Sequence, residues 1–208
     1  MKIAICGGTF DPFHRGHLDP VLAVRNELQW SAILYVPAWR QPFKPDRQMA
    51  SGYHRFAMAV LATTPFDDIY VSPMELDRGR ISYTVDTLEE LRGQYVQATL
   101  DWVIGDDNLA QLGAWKNIDR IFELANFVVL SRHAGGEAGL PPDYRDRVVS
   151  AGAREECGGI VFAANATVPI SSTEIRSRLR TGESIAELVD PLVSRYIQHY
   201  RLYQEVQT

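Results

Sequence analysis

The sequence predicts an α/β fold built on a doubly wound, Rossmann-like parallel sheet. Two patterns lead there. Short β-type apolar runs alternate along the chain with longer stretches of helical periodicity, the signature of a parallel sheet with crossover helices. The first run, Ile3 to Cys6, stops at Gly7-Gly8, the kind of first βα turn that opens a ligand crevice in such sheets. A chain of 208 residues also fits one domain with a sizeable core.

After the strand Ile3–Cys6, a helix is expected from about 16 to 28. Leu18, Val21, Leu22, Val24 and Leu28 form its apolar side, and Pro20 lies close enough to the start to be tolerated. Residues 32–36 read as the second strand, closed by Pro37. Pro37, Pro42 and Pro45 make 37–48 a stiff loop. A helix at 52–63 and a strand at 69–71 follow. The next unit opens at Ser82-Tyr83-Thr84 with a helix at 84–92. Then come a strand at 100–104 ending in Gly105, a helix at 117–124 and a strand at 127–130. From 134 to 159 the pattern dissolves into Gly, Pro and mixed charge, read as a surface excursion with one helix near 142–153. Residues 160–163 supply the last strand, and two or three helices starting at Ser171 close the chain. With no internal repeat or low-complexity segment, 1–208 reads as a single domain whose residues 171–208 are a C-terminal helical part.

Composition narrows the partners. The chain is 46% hydrophobic and 23% charged, with net charge −5 and a pI near 5.5. That balance excludes broad binding to nucleic acid or anionic membrane, which needs massed Lys and Arg. A small anion held by a few cations and backbone amides remains compatible. Cys6 and Cys157 form no CxxC or Cys/His metal spacing, so a reducing compartment is expected. The first apolar run is too short for a signal sequence, and no stretch has membrane-spanning length. A soluble, cytoplasmic protein is the expectation, with room for a homo-oligomer.

The loop from Gly7 to His17 carries the strongest chemical signal. Glycines let the backbone approach a ligand closely. His14 and His17, three residues apart across a helix start, can point together into the crevice and donate to phosphate oxygens beside the helix N-terminus. Against this stand a plain turn, a satisfied surface pair, and a zinc site that lacks further ligands at suitable spacing. The string is neither GxGxxG nor a P-loop.

Gly8-Thr9-Phe10-Asp11-Pro12-Phe13-His14-Arg15-Gly16-His17 resembles the signature of the nucleotidyltransferase superfamily with the HxGH motif. Ile170-Ser171-Ser172-Thr173-Glu174-Ile175-Arg176 is similar to its ISSTxIR motif, in the same order and again at a strand-to-helix junction. Within the superfamily the match is to the bacterial nicotinate-nucleotide adenylyltransferases. It covers nearly the whole chain except about 134–158, with support from Ile81–Leu88, Ile104–Asp107, Trp115 and Val128–Arg132.

Read physically, Ser171 and Glu174 form a capping box, and Arg176 is then a solvated helix residue. The same geometry serves phosphate: hydroxyls and free amides at a helix N-terminus, with Arg176 as a bidentate cation. The resemblance implies catalytic roles for His14, His17 and Arg176, and an ATP site of Gly8, Thr9, Phe10, His14, His17, Gly105, Asp107, Ser171, Ser172 and Arg176. It implies a pocket for the nicotinate ring and its carboxylate at Tyr83, Thr84 and Trp115, with Lys44 and Arg132 as phosphate contacts of the mononucleotide. Plain alternatives exist for each: a helix cap, a packed aromatic, a solvated cation. One departure stands out. Where the family commonly carries a proline-proline-histidine string followed by lysine or arginine, this chain has Gln41-Pro42-Phe43-Lys44, so Phe43 takes the place of an imidazole, and either Lys44, Arg40 or Arg47 compensates or the rate is lower.

The implied reaction is transfer of AMP from ATP to nicotinate mononucleotide, giving nicotinate adenine dinucleotide and pyrophosphate for NAD biosynthesis. Magnesium would arrive on ATP, and no protein metal ligands are expected. The alternatives are nicotinamide mononucleotide or phosphopantetheine as acceptor, or a non-catalytic nucleotide-binding protein of the same fold.

Overall fold

Six strands run parallel: β1 (Lys2–Gly8), β2 (Ala32–Pro37), β3 (Ile69–Val71), β4 (Thr99–Gly105), β5 (Asn126–Leu130) and β6 (Ile160–Phe162). The structure, a computed structural model, describes residues 1–42, 50–131, 136–153 and 157–204. The order across the sheet is β3-β2-β1-β4-β5-β6. Ile5 of β1 sits opposite Leu34 on one side and Trp102 on the other. The chain therefore winds outward from β1 in both directions, and the connections diverge between β1 and β4, the place where such sheets leave a crevice at their carboxyl ends.

Side chains alternate across the sheet with period two, and every central position is covered. Ala4, Cys6, Ile33, Tyr35, Val103 and Val128 face one layer. It is formed by helices α1 (Arg15–Val24) and α2 (Gly52–Thr63) together with two later ones, defined below, that contribute Ile175, Val193 and Ile197. Ile3, Ile5, Leu34, Leu100, Trp102 and Phe127 face the other. There the cover is α3 (Met74–Arg78), α4 (Thr84–Gln94) and α5 (Ile118–Leu124), through Met74, Val85, Leu88, Leu91 and Ile121. The chain returns to the first layer with α6 (Ser172–Thr181) and α7 (Pro191–His199).

The expected strands, and the helices from 52, 84 and 117, stand within two or three residues of their predicted places. Three differences have physical causes. The regular part of α1 ends at Val24, and residues 25–29 continue as turns. Gln29 takes a left-handed φ of 52°, with Trp30 N bonded to Arg25 O and Gln29 N to Asn26 O. That pair of bonds is a Schellman closure, and it still delivers Leu28 to the core. Helix α3 was not expected: five residues are too few to show a period. The helix near 142–153 is replaced by short 3-10 segments, Pro142–Arg147 and Ala151–Ala153. Neither buries a side chain, so no apolar face drives a longer helix there. Among the described residues no helix is long and apolar enough to cross a membrane.

Candidate active site

At the carboxyl ends of β1 and β4 lies a crevice of about 630 Å³. Its base includes Cys6, Gly7 and Gly8 from β1 and Val103 to Gly105 from β4. A Cβ at Gly7 would lie 2.6 Å from the Trp102 ring, so only glycine fits under that indole. The Cys6 thiol is fully buried, and burial pushes its ionisation far up, so it stays a protonated apolar group rather than a nucleophile.

The loop after β1 is held from several sides. Phe10 has a left-handed φ of 52°, and the Asp11-Pro12 bond is cis. Rings of Phe10 and Phe13 pack edge-on against Tyr35 at 5.7 and 5.0 Å between centroids. Both phenylalanines are buried, so the Phe10 ring is a wall rather than a polar contact. His14 caps α1 and is 3% exposed, with His17 stacked on it at 3.6 Å between ring centroids. His14 N donates to His17 Nδ1 at 3.2 Å. An accepting Nδ1 places the neutral ring's proton on Nε2, making His17 a donor at that atom. The Tyr35 hydroxyl fixes the same turn by donating to His17 O at 2.9 Å. Gly16 is required between the histidines: a Cβ there would come within 3.0 Å of the His14 ring and 3.2 Å of Ile170 O.

Helix α6 brings the second motif to the first. Ser171 is its N-cap, accepting from Glu174 N at 3.1 Å as expected, while Glu174 itself turns to Arg178 at 2.6 Å. Ser172 Oγ donates to Pro12 O at 3.1 Å, and Arg176 Nη1 donates to Asp11 O at 2.5 Å. Two helix N-termini thus converge on one crevice, each adding partial positive charge.

The opposite wall comes from the other layer. Tyr83 is the N-cap of α4, followed by Thr84 as its first residue. Lys116 Nζ stands 4.4 Å over the Tyr83 ring and 3.1 Å from Asp86. Trp115 follows the 3-10 segment Asp106–Ala114 and meets Phe127 edge-on at 5.8 Å. Asp107 lies in that segment, past the end of β4, and accepts from Asn108 at 3.1 Å. Every expected site residue among those described lines this crevice: Gly8, Thr9, Phe10, His14, His17, Tyr83, Thr84, Gly105, Asp107, Trp115, Ser171, Ser172 and Arg176. Lys44 and Arg132, with Phe43 and Arg47, lie outside the described residues.

Sequence reasoning passed over the groups that hold these in place. Arg55, 1% exposed on α2, donates to Thr9 O at 2.5 Å, Ala38 O at 2.7 Å and Ala50 O at 3.2 Å. Burial lowers its pKa, and the nearby Asp11 carboxylate opposes that. Its signal was available: an arginine in register with Met58, Ala59 and Ala62 on the buried face of α2. Glu75, also buried, accepts from Thr87 at 2.5 Å and lines the crevice. His54 of α2 hydrogen-bonds with the Tyr196 hydroxyl of α7 at 2.9 Å and does not line the crevice.

These groups suit phosphates and a flat ring, and the class they define on this sheet is that of the nucleotidyltransferases. Residues 5–178 match the cytidylyltransferase-like family. A protein of Thermoanaerobacter sp. named "Probable nicotinate-nucleotide adenylyltransferase" is 35% identical over 209 residues, covering 99% of this chain and 95% of that one. One of the same name from Gemmatimonas aurantiaca is 36% identical over 207 residues, covering 99% and 93%. The chain belongs to the cytidylyltransferase-like family, within its nicotinate-nucleotide adenylyltransferases. The solved structure of Plasmodium falciparum nicotinic acid mononucleotide adenylyltransferase complexed with NaAD shares the fold, with a TM-score of 0.73 at 20% identity over 97% of each chain.

Proposed function

We propose that the protein transfers AMP from ATP to nicotinate mononucleotide, releasing pyrophosphate and forming nicotinate adenine dinucleotide. The observation that carries this reading is the meeting, in one crevice, of the stacked His14–His17 pair with the α6 N-terminus on one wall and Tyr83, Thr84 and Trp115 on the other. Adenylyl transfer needs no side-chain nucleophile. The mononucleotide phosphate is largely dianionic at neutral pH, its second pKa being about 6. One of its oxygens attacks the α-phosphorus of ATP, and the bond from that phosphorus to the bridging oxygen breaks with pyrophosphate leaving. The protein has to align two anions and stabilise the charge that develops at the α-phosphate and the leaving group. His17 Nε2–H, His14 and Arg176 are assigned that task, with Gly8, Thr9 and Phe10 shaping the floor, Ser171 and Ser172 offering backbone amides, and Ser171 its hydroxyl proton. Gly105 and Asp107 border the ribose and adenine side. Thr84 N at the α4 terminus would receive the nicotinate carboxylate, and Trp115 would stack the ring, beside Tyr83.

Among the described residues no group of three or more His, Cys, Asp or Glu is placed to hold a metal. The imidazoles and guanidinium suit phosphate oxygens rather than a hard cation, so magnesium is assigned to the phosphates of ATP, where it supplies further charge neutralisation. Both cysteines are free thiols, which supports the cytoplasm as the setting. The chain reads as one nucleotidyltransferase domain, whose C-terminal helical part brings Ser171, Ser172 and Arg176 to the site. Pyrophosphate release with Mg-ATP and nicotinate mononucleotide, nicotinamide mononucleotide or phosphopantetheine in parallel tests the reading. A strong preference for the first is expected. Preference for another acceptor overturns the pocket assignment, and no release from folded, ATP-binding protein overturns catalysis.

A further inference from the structure

Tyr203 belongs to no motif and stands near the end of the described chain, yet its side chain ends inside the first loop. The hydroxyl donates to Asp11 Oδ1 at 2.6 Å, across 192 positions of sequence. Ala50 N donates to the same oxygen at 3.2 Å. Asp11 is 4% exposed, and its other oxygen lies 3.7 Å from Arg176 Nη1. The same Nη1 donates to the Asp11 backbone carbonyl, while Nη2 donates to Thr173 Oγ1 at 3.2 Å. Asp11 therefore meets the guanidinium with both its carboxylate and its main chain, so the place of its carboxylate sets the charge that faces Arg176. The tail makes a specific shape to reach this point: Arg201 and Tyr203 take left-handed φ values of 51° and 64°, which non-glycine residues seldom adopt.

We infer that Tyr203 is a positioning residue for adenylyl transfer: its hydroxyl fixes Asp11, and through Asp11 it aims Arg176 at the phosphates. This rests on the adenylyl-transfer reading above. Burial, and then the negative charge of Asp11, push the phenol's ionisation well up, so the hydroxyl keeps its proton and remains the donor. The carboxylate, with Ala50 N and Tyr203 as donors on one oxygen, is free to direct its other oxygen toward Arg176. Because Arg176 acts on charge that develops during transfer, slackening it affects turnover more than binding of the mononucleotide across the crevice.

The test is steady-state pyrophosphate release by the full chain and by Y203F, R176K, the double variant and L202A. Leu202 packs the same tail on the core but has no polar reach to Asp11. Y203F is expected to lower kcat about tenfold, while KM for nicotinate mononucleotide stays within about twofold. The double variant should fall no further than R176K within about twofold, since the two residues act in series. L202A should lower the melting midpoint and leave kcat within about twofold. If Y203F does not fold, D11N carries the same expectation in kcat, because it sets an NH2 or a neutral oxygen against Arg176. A kcat for the folded test variant within twofold of the parent overturns the inference, as does L202A losing as much turnover as Y203F, or losses that multiply in the double variant. Failure of the wild-type chain to release pyrophosphate would instead overturn the reaction itself, so the two failures are separable.

Discussion

Replacing Arg55 with methionine should cost more stability than any other single change near the crevice, and the cost can be worked from its contacts. Methionine keeps the aliphatic stem and most of the volume, so the loss is that of the guanidinium. Four carbonyls, Thr9 O, Ala38 O, Trp39 O and Ala50 O, lose donors at 2.5 to 3.4 Å, and Asp11 loses a neighbouring cation. An unsatisfied buried acceptor costs about 1–3 kcal/mol, and the variant is spared the cost of burying a cation. Removing one member of a buried charged network usually nets about 3–5 kcal/mol. With a urea slope of about 2 kcal/mol per molar, the unfolding midpoint should fall by about 2 M. The assay is urea unfolding at 25 °C followed by far-UV circular dichroism and tryptophan fluorescence together. R55K keeps the charge, but one ammonium cannot span carbonyls from three segments, so it should lie between parent and R55M. A midpoint shift for R55M below about 0.5 M would refute the reasoning and make the guanidinium a bystander.

Three further outcomes are expected. His17→Ala should fold normally and lose about 10²–10³ in kcat, measured by pyrophosphate release, and near-normal turnover would remove its assigned role. Trp115→Ala should weaken nicotinate mononucleotide binding, read by calorimetry, far more than ATP binding, and equal losses would contradict the stacking role. The Glu75 carboxyl is raised above its usual range, chiefly by burial. The folded state therefore holds that proton more tightly than the unfolded chain does, and stability is lost as pH rises from the unfolded value of about 4.5 through the raised folded value. Glu75→Gln cannot ionise, so the stability gap between it and the parent should move in the variant's favour from pH 4 to pH 7, and a constant gap would sink the assignment.

Much of this molecule was legible before its structure. The strands around β1 announce themselves because both faces are buried, which leaves uninterrupted runs such as Ile3–Cys6 and Phe127–Leu130. His14, His17, Ser171 and Arg176 lie in local strings at element boundaries, where the resemblance to two family signatures marks them together. Tyr203 and Glu75 carry no such trace. Their roles arise from partners 192 and 12 residues away, and a tyrosine in a closing turn looks like any packed aromatic. Arg55 falls between the cases: its place on an apolar helix face is readable, but the carbonyls it joins come from three chain segments that only folding assembles. The 142–153 segment misled because charge-rich sequence has helical propensity without any apolar stripe to use it.

The two layers of the sheet divide the labour of the crevice. The stacked histidines and the α6 terminus rest on one hydrophobic core, and Tyr83 and Trp115 on the other. Only strand backbone separates the two cores, so side chains on one face seldom repack when those on the other change. The two walls of the crevice can then drift nearly independently, with substitutions in the two layers adding rather than interfering. A chain built this way can reshape one wall of its crevice by editing one face of a sheet, leaving the stacked histidines and the α6 terminus on the other face as they are.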